Sequence, residues 1–117
     1  RGVARLFEGL AAGGVLDGNR FVDAEALAQA TTEQWHDSED LLGHTRRMAL
    51  SFALALPGHL AMGPNLRSFG HTGAGGAIGF ADPDSGLGFA YAPNHMYSGA
   101  GISPRLNALV DALYAAL

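Results

Sequence analysis

The chain is organised around the stretch between Leu66 and Asn94, which reads LRSFGHTGAGGAIGFADPDSGLGFAYAPN. Two short apolar runs, Ala77–Phe80 and Leu87–Ala92, flank Asp82-Pro83-Asp84-Ser85-Gly86. That pentapeptide fits a type I turn followed by a left-handed glycine, so the runs are expected to pair as an antiparallel hairpin. Just before them stands Gly70-His71-Thr72-Gly73, and Gly75, Gly76 and Gly79 follow closely. Backbone this rich in glycine lets another group approach the main chain.

The rest of the chain supplies elements to surround that hairpin. Val3, Leu6, Phe7, Leu10 and Ala11 recur at helical spacing, so residues 2–12 are expected to form an amphipathic helix that ends at Gly13-Gly14. Asp17-Gly18 between Val15-Leu16 and Phe21-Val22 suggests a small hairpin. Asp23 can cap a second helix running to about Ala30, with Glu25 in its first turn. Residues 31–45 show no period and are expected to be a solvated loop anchored by Trp35. From Arg47 to Leu56 bulky and small residues alternate strictly, which predicts one strand closed by Pro57-Gly58. A second short strand is expected over Leu66–His71, with Arg67, Phe69 and His71 on one face. Ser103 as cap and Pro104 in the first turn open a final helix, with Leu106, Leu109, Val110, Leu113, Tyr114 and Leu117 on one side. The expected fold class is α+β. An antiparallel sheet of about three to four strands is covered by the C-terminal helix, with helices at the N-terminus.

Composition narrows the chemistry. At 117 residues the chain is a single unit, 1–117, too short for two domains. It has no cysteine, which excludes disulfides and thiolate metal sites. The net charge is −4 and no basic face is evident, so nucleic acid is not an expected partner. All seven basic residues are arginine. Any mechanism that needs a lysine must find it outside these residues. The alanine- and glycine-rich, lysine-free composition points to a high-G+C bacterial source.

Several reaction classes fail on the motifs. A phosphate loop ends in Gly-Lys-Ser/Thr, and there is no lysine. A dinucleotide fingerprint started at Gly73 would need glycine at Ile78 and a helix where a turn follows. Neither Ser85 nor Ser98 has the glycines of a nucleophile elbow. The cluster Trp35-His36-Asp37-Ser38-Glu39-Asp40 lacks calcium-loop spacing and a second histidine four residues on, so no metal or other cofactor is expected. His36, His44 and His59 are expected at the surface. What remains is a strand end carrying His71, Thr72 and Gly73, able to offer main-chain N–H groups to an acyl oxygen. Spacing alone favours an ordinary glycine-rich hairpin with an exposed histidine.

The longer string FGHTGAGGAIGFADPDSGLGFAYAPNHM resembles the third-motif region of the serine β-lactamase-like family, which includes class C β-lactamases, penicillin-binding proteins and related esterases. The segment LFEGLAAGGVLDGNRFVDAEALAQAT is similar to the helix and turn preceding that region, and the last helix resembles the family's C-terminal helix. The third motif is Lys-Thr-Gly in most β-lactamases and often His-x-Gly in the esterase branch; here it is His71-Thr72-Gly73. The family's Ser-x-x-Lys and Tyr-x-Asn motifs are not among these residues. The resemblance therefore implies the C-terminal part of a larger β-lactamase/transpeptidase-like domain, whose partner is the remaining N-terminal part of the same fold.

By that resemblance the intact protein is a serine hydrolase acting on an ester or amide through an acyl-enzyme. This chain alone, lacking the serine, is expected to be inactive and prone to self-association. The implied catalytic residues are His71, Thr72, Gly73 and Ala74. His71 would lie near a tyrosine hydroxyl or a polar group of the substrate, Thr72 would face away or hold the strand by hydrogen bonding, and the Ala74 N–H would serve as an oxyanion donor. Gly75, Asn94 and His95 would contact substrate. Lysine keeps its charge at neutral pH while imidazole titrates near pH ~6.5, so neutral short-chain esters are expected to be preferred over carboxylate-bearing β-lactams. A non-catalytic binding or scaffold module that keeps the fold is the competing expectation.

Overall fold

Glycines decide where the helices of this protein can sit. In the computed structural model, which describes residues 1–37, 43–98 and 103–117, the N-terminal helix α1 (Gly2–Ala11) lies directly on two strands of the sheet. These are β7 (Ile78–Asp82) and β8 (Leu87–Tyr91), the two arms of the expected hairpin. A side chain at Gly88 would run into the backbone of Glu8 and Ala4, and one at Gly79 would meet Phe7 and Val3. The close approach anticipated from the glycine content is thus made by a helix.

Six strands form one antiparallel sheet in the order β3-β4-β5-β6-β7-β8. They are β3 (Trp35–Asp37), β4 (Arg46–Met48), β5 (Ala53–Leu54), β6 (Phe69–Thr72) and the β7–β8 hairpin. A separate two-stranded ribbon, β1 (Val15–Leu16) with β2 (Asn19–Arg20), follows α1 and closes through Asp17 and Gly18, both at positive φ. Helix α2 (Ala24–Thr31) starts after Asp23 as expected, although the Asp23 side chain makes no capping hydrogen bond. Helix α3 (Pro104–Ala115) closes the chain.

The sheet is sandwiched between two apolar layers. On one face Ile78, Phe80 and Ala53 pack with Leu106 and Val110 of α3 and with Met62. On the other, Ala81, Leu54 and Phe69 pack with Leu10 of α1 and Leu27 of α2. Phe80 stacks against Phe89 across the hairpin at 5.2 Å, and Phe52 meets Phe69 edge-on at 5.0 Å. Phe69, Phe80, Phe89 and Tyr91 serve the core or pack against it, as expected of cross-strand pairs.

Four expectations are corrected. The alternating run 47–56 is not one strand: β4 and β5 pair with each other, Met48 opposite Ala53, and the Ala49 N–H bonds Phe52 O at 2.8 Å across a tight turn. Leu50, at that turn, is 65% exposed. Trp35 does not anchor a loop but begins the edge strand β3, opposite Met48; residues 38–42 of the same stretch lie outside the described residues. The apolar stripe of α3 is narrower than its spacing implied, because Leu109 and Leu117 are exposed while Leu106 and Val110 are buried. With β3 and the extra β4–β5 turn, the sheet has more strands than the three to four expected.

Candidate functional site

Strand β6 is paired unequally on its two sides. Against β7 all four of its residues are matched, from Phe69 opposite Ala81 to Thr72 opposite Ile78. Against β5 only Gly70 and Phe69 are matched, to Ala53 and Leu54. Beyond Gly70 one edge of the strand therefore has no strand partner among the described residues. That edge belongs to His71, Thr72, Gly73 and Ala74.

The turn beyond it is set by its glycines. The Gly73 N–H donates to Ala77 O at 2.8 Å and the Gly76 N–H to Gly73 O at 3.3 Å. Gly75 and Gly76 have φ of +82° and +90°, which only glycine adopts without strain. Among the described residues the Ala74 N–H meets no backbone acceptor. An exposed N–H at a strand end held by a hydrogen-bonded turn is a preorganised donor.

Alternation within β6 separates the motif's two side chains. His71 stands opposite Gly79, on the face covered by α1, and is exposed. Its Nδ1 lies 2.6 Å from Thr72 O. A carbonyl only accepts, so Nδ1 is the donor in this contact, which leaves Nε2 outside it. Thr72 is half-buried on the α3 face and lines a cavity of about 230 Å³ together with Gly73, Ala74, Gly75, Gly76 and Ala77. Ala53, Leu56, Leu60 and Leu106 supply apolar wall, while Ser103, Tyr97, His59 and His44 add polar groups. Arg47, also at the wall, is tied down by Glu33 at 2.7 Å and by Ala55 O at 2.7 Å.

The expected site residues thus divide. Thr72, Gly73, Ala74 and Gly75 come together on the cavity; His71 does not line it, and Asn94 and His95 are exposed and do not line it either. Thr72 lies at the cavity, on the α3 side of the sheet with its register partner Ile78. His44 was expected at the surface but is half-buried in the cavity wall; His36 and His59 are exposed, with His59 at the rim. Ser103, expected only as a helix cap, and Tyr97, not among the expected site residues, also line the cavity. Tyr97 follows β8 and Ser103 is the N-cap of α3, so their approach to the cavity is not written in a local pattern.

Behind the turn of the β7–β8 hairpin lies a second polar group. Asp82 is fully buried and accepts from Tyr114 Oη at 2.6 Å and Asn65 Nδ2 at 2.7 Å, both on Oδ2. Its Oδ1 takes the Asp84 and Ser85 N–H groups at 3.0 and 3.3 Å. Burial by itself would raise the Asp82 pKa, but these donors outweigh it and hold the carboxyl below its ordinary value. Burial, and then the neighbouring Asp82, push the Tyr114 phenol well above its usual range. With both oxygens satisfied and at the opposite end of β7 from the glycine turn, this group is a structural pin.

Residues 1–112 match the family model described as Beta-lactamase. The chain is 34% identical over 98 residues to the esterase/beta-lactamase LipL of Mycobacterium tuberculosis, a match covering 84% of this chain and 22% of that protein. Among solved structures it is similar to a family VIII carboxylesterase, with 37% identity, a TM-score of 0.91 and coverage of 100% of this chain and 31% of the other. It is likewise similar to a penicillin-binding protein homolog from Caulobacter crescentus, with 35% identity, a TM-score of 0.91 and coverage of 98% and 31%. The chain spans about a fifth to a third of the length of these relatives.

Proposed function

Since this chain belongs to the beta-lactamase family, we propose that it forms one wall of an acyl-transfer site in a serine hydrolase, and that the intact protein cleaves neutral short-chain esters. The observation that carries this reading is the one-sided pairing of β6, which leaves the His71–Ala74 edge open beside a cavity. An acyl group laid along that edge would meet main-chain N–H groups without displacing a strand. The Ala74 N–H is assigned to the oxyanion that forms when the serine attacks; the serine itself comes from the part of the fold outside these residues.

In this reading Gly73 and Gly75 keep the edge clear of side chains, and Thr72 contributes its hydroxyl to the polar end of the bound substrate. His71 faces the opposite side, towards α1, with Nε2 available to accept a proton or a hydrogen bond from the catalytic tyrosine of the remaining domain. A histidine offers no fixed cation for a β-lactam carboxylate, which favours uncharged esters. Exposed Asn94 and His95 would reach the substrate only at the mouth.

The full-length protein, carrying Ser-x-x-Lys upstream, should hydrolyse nitrophenyl acetate or butyrate far faster than a chromogenic cephalosporin, and His71→Ala should depress the ester reaction. Equal or better β-lactam turnover in the wild type would refute the ester preference. The 117-residue chain alone should show no esterase activity, and robust turnover by it would overturn the division of the site between two parts of the fold.

A further inference from the structure

The glycine turn that carries the Ala74 N–H is held from outside. Gly75 and Gly76, both left-handed, could pivot at little conformational cost if only their own turn bonds restrained them. Instead the segment following β8 closes over them. The Tyr97 N–H donates to Gly75 O at 2.9 Å. The Met96 side chain lies along the Gly75 backbone, its Cε 2.7 Å and its Cγ 2.9 Å from where a Cβ on Gly75 would stand. Tyr97 Cβ and Ser103 Cβ take the corresponding places over Gly76, at 3.4 and 3.5 Å.

We infer that Met96 and Tyr97 form a clamp that fixes the peptide planes of the Gly75–Gly76 turn, and that Met96 is a positioning residue for the adjacent oxyanion donor. The inference rests on the acyl-transfer reading above. Met96 is 67% exposed and belongs to neither apolar layer, so its packing on Gly75 is not explained by the core. One hydrogen bond fixes the position of the turn's carbonyl, and the thioether arm covers its open side. Catalytic hydrogen bonds tolerate little displacement, so loosening the turn should lower the rate of the chemical step more than substrate binding.

The test uses the full-length protein with Met96→Ala and Met96→Leu. The alanine variant should fold normally, show kcat on nitrophenyl acetate reduced about tenfold with KM within about twofold, and exchange the amides of residues 73–77 faster by mass spectrometry. Leucine, which restores the apolar arm, should return both quantities towards wild type. Faster exchange in a protein whose wild type cleaves no ester would support the clamp while overturning the hydrolase reading. Unchanged exchange in Met96→Ala, or an effect confined to KM, would overturn the clamp.

Discussion

The Tyr114 phenol donates a 2.6 Å hydrogen bond to Asp82, joining the last helix to the buried end of β7. Asp82 also caps the hairpin turn through the Asp84 and Ser85 N–H groups, and Asn65 brings in the loop before β6. One carboxylate thereby locks α3, the hairpin and the 62–65 loop together, next to the strand that bears the candidate site. Replacing Tyr114 with Phe removes a donor from a buried anion and should destabilise the protein by about 1–3 kcal/mol. Urea unfolding of the full-length protein measures it, and an unchanged midpoint would show that the bond contributes nothing.

The same pair sets the expected pH dependence. Asp82 has a depressed folded pKa, so its stabilisation is complete above the unfolded carboxyl value of ~4 and is lost as pH falls through the lower, folded value. Tyr114 has a raised folded pKa, so its part is complete below the unfolded phenol value of ~10 and is lost as pH rises further. The pair should therefore contribute a plateau between these limits. Asp82→Asn should lower the plateau and flatten the acid limb of a stability–pH profile; an acid limb identical to wild type would refute the assignment.

Gly88 is the point where α1 rests on the sheet. Gly88→Ala places a methyl group against the backbone of Glu8 and Ala4, where no side chain can swing away. A loss of about 1–3 kcal/mol is expected. Gly2→Ala, at a helical position with open space around it, should be neutral or slightly stabilising. Thermal unfolding of both variants checks the contrast, which disappears if α1 does not seat on Gly88.

Much of this architecture is legible in the residues because it is local. The Asp82–Gly86 turn, the Gly13–Gly14 stop and the Ser103-Pro104 helix start are each written in a few adjacent positions. The β4–β5 turn is not: Ala49-Leu50-Ser51-Phe52 holds no Gly, Pro or Asn, and a reversal with two central residues preserves the alternation on both sides. Strand β3 is defined by its partner Arg46–Met48, a long-range pairing invisible in the sequence Trp35-His36-Asp37. Alternation was expected to set Arg67, Phe69 and His71 on one face of a strand over 66–71; the strand is Phe69–Thr72, so Arg67 falls outside it while Phe69 and His71 share a face. Which face borders the cavity depends on α3 packing over Ile78 and Phe80, and that is a tertiary fact.

The central claim is that the open edge of β6 receives the acyl group. The direct measurement is a crystal structure of the full-length protein trapped as a phosphonate adduct on its serine. The account predicts the adduct's oxyanion oxygen about 2.7–3.1 Å from the Ala74 nitrogen, with the adduct lying along His71–Ala74. An adduct whose oxygen is held by groups elsewhere, with the β6 edge empty, would contradict it.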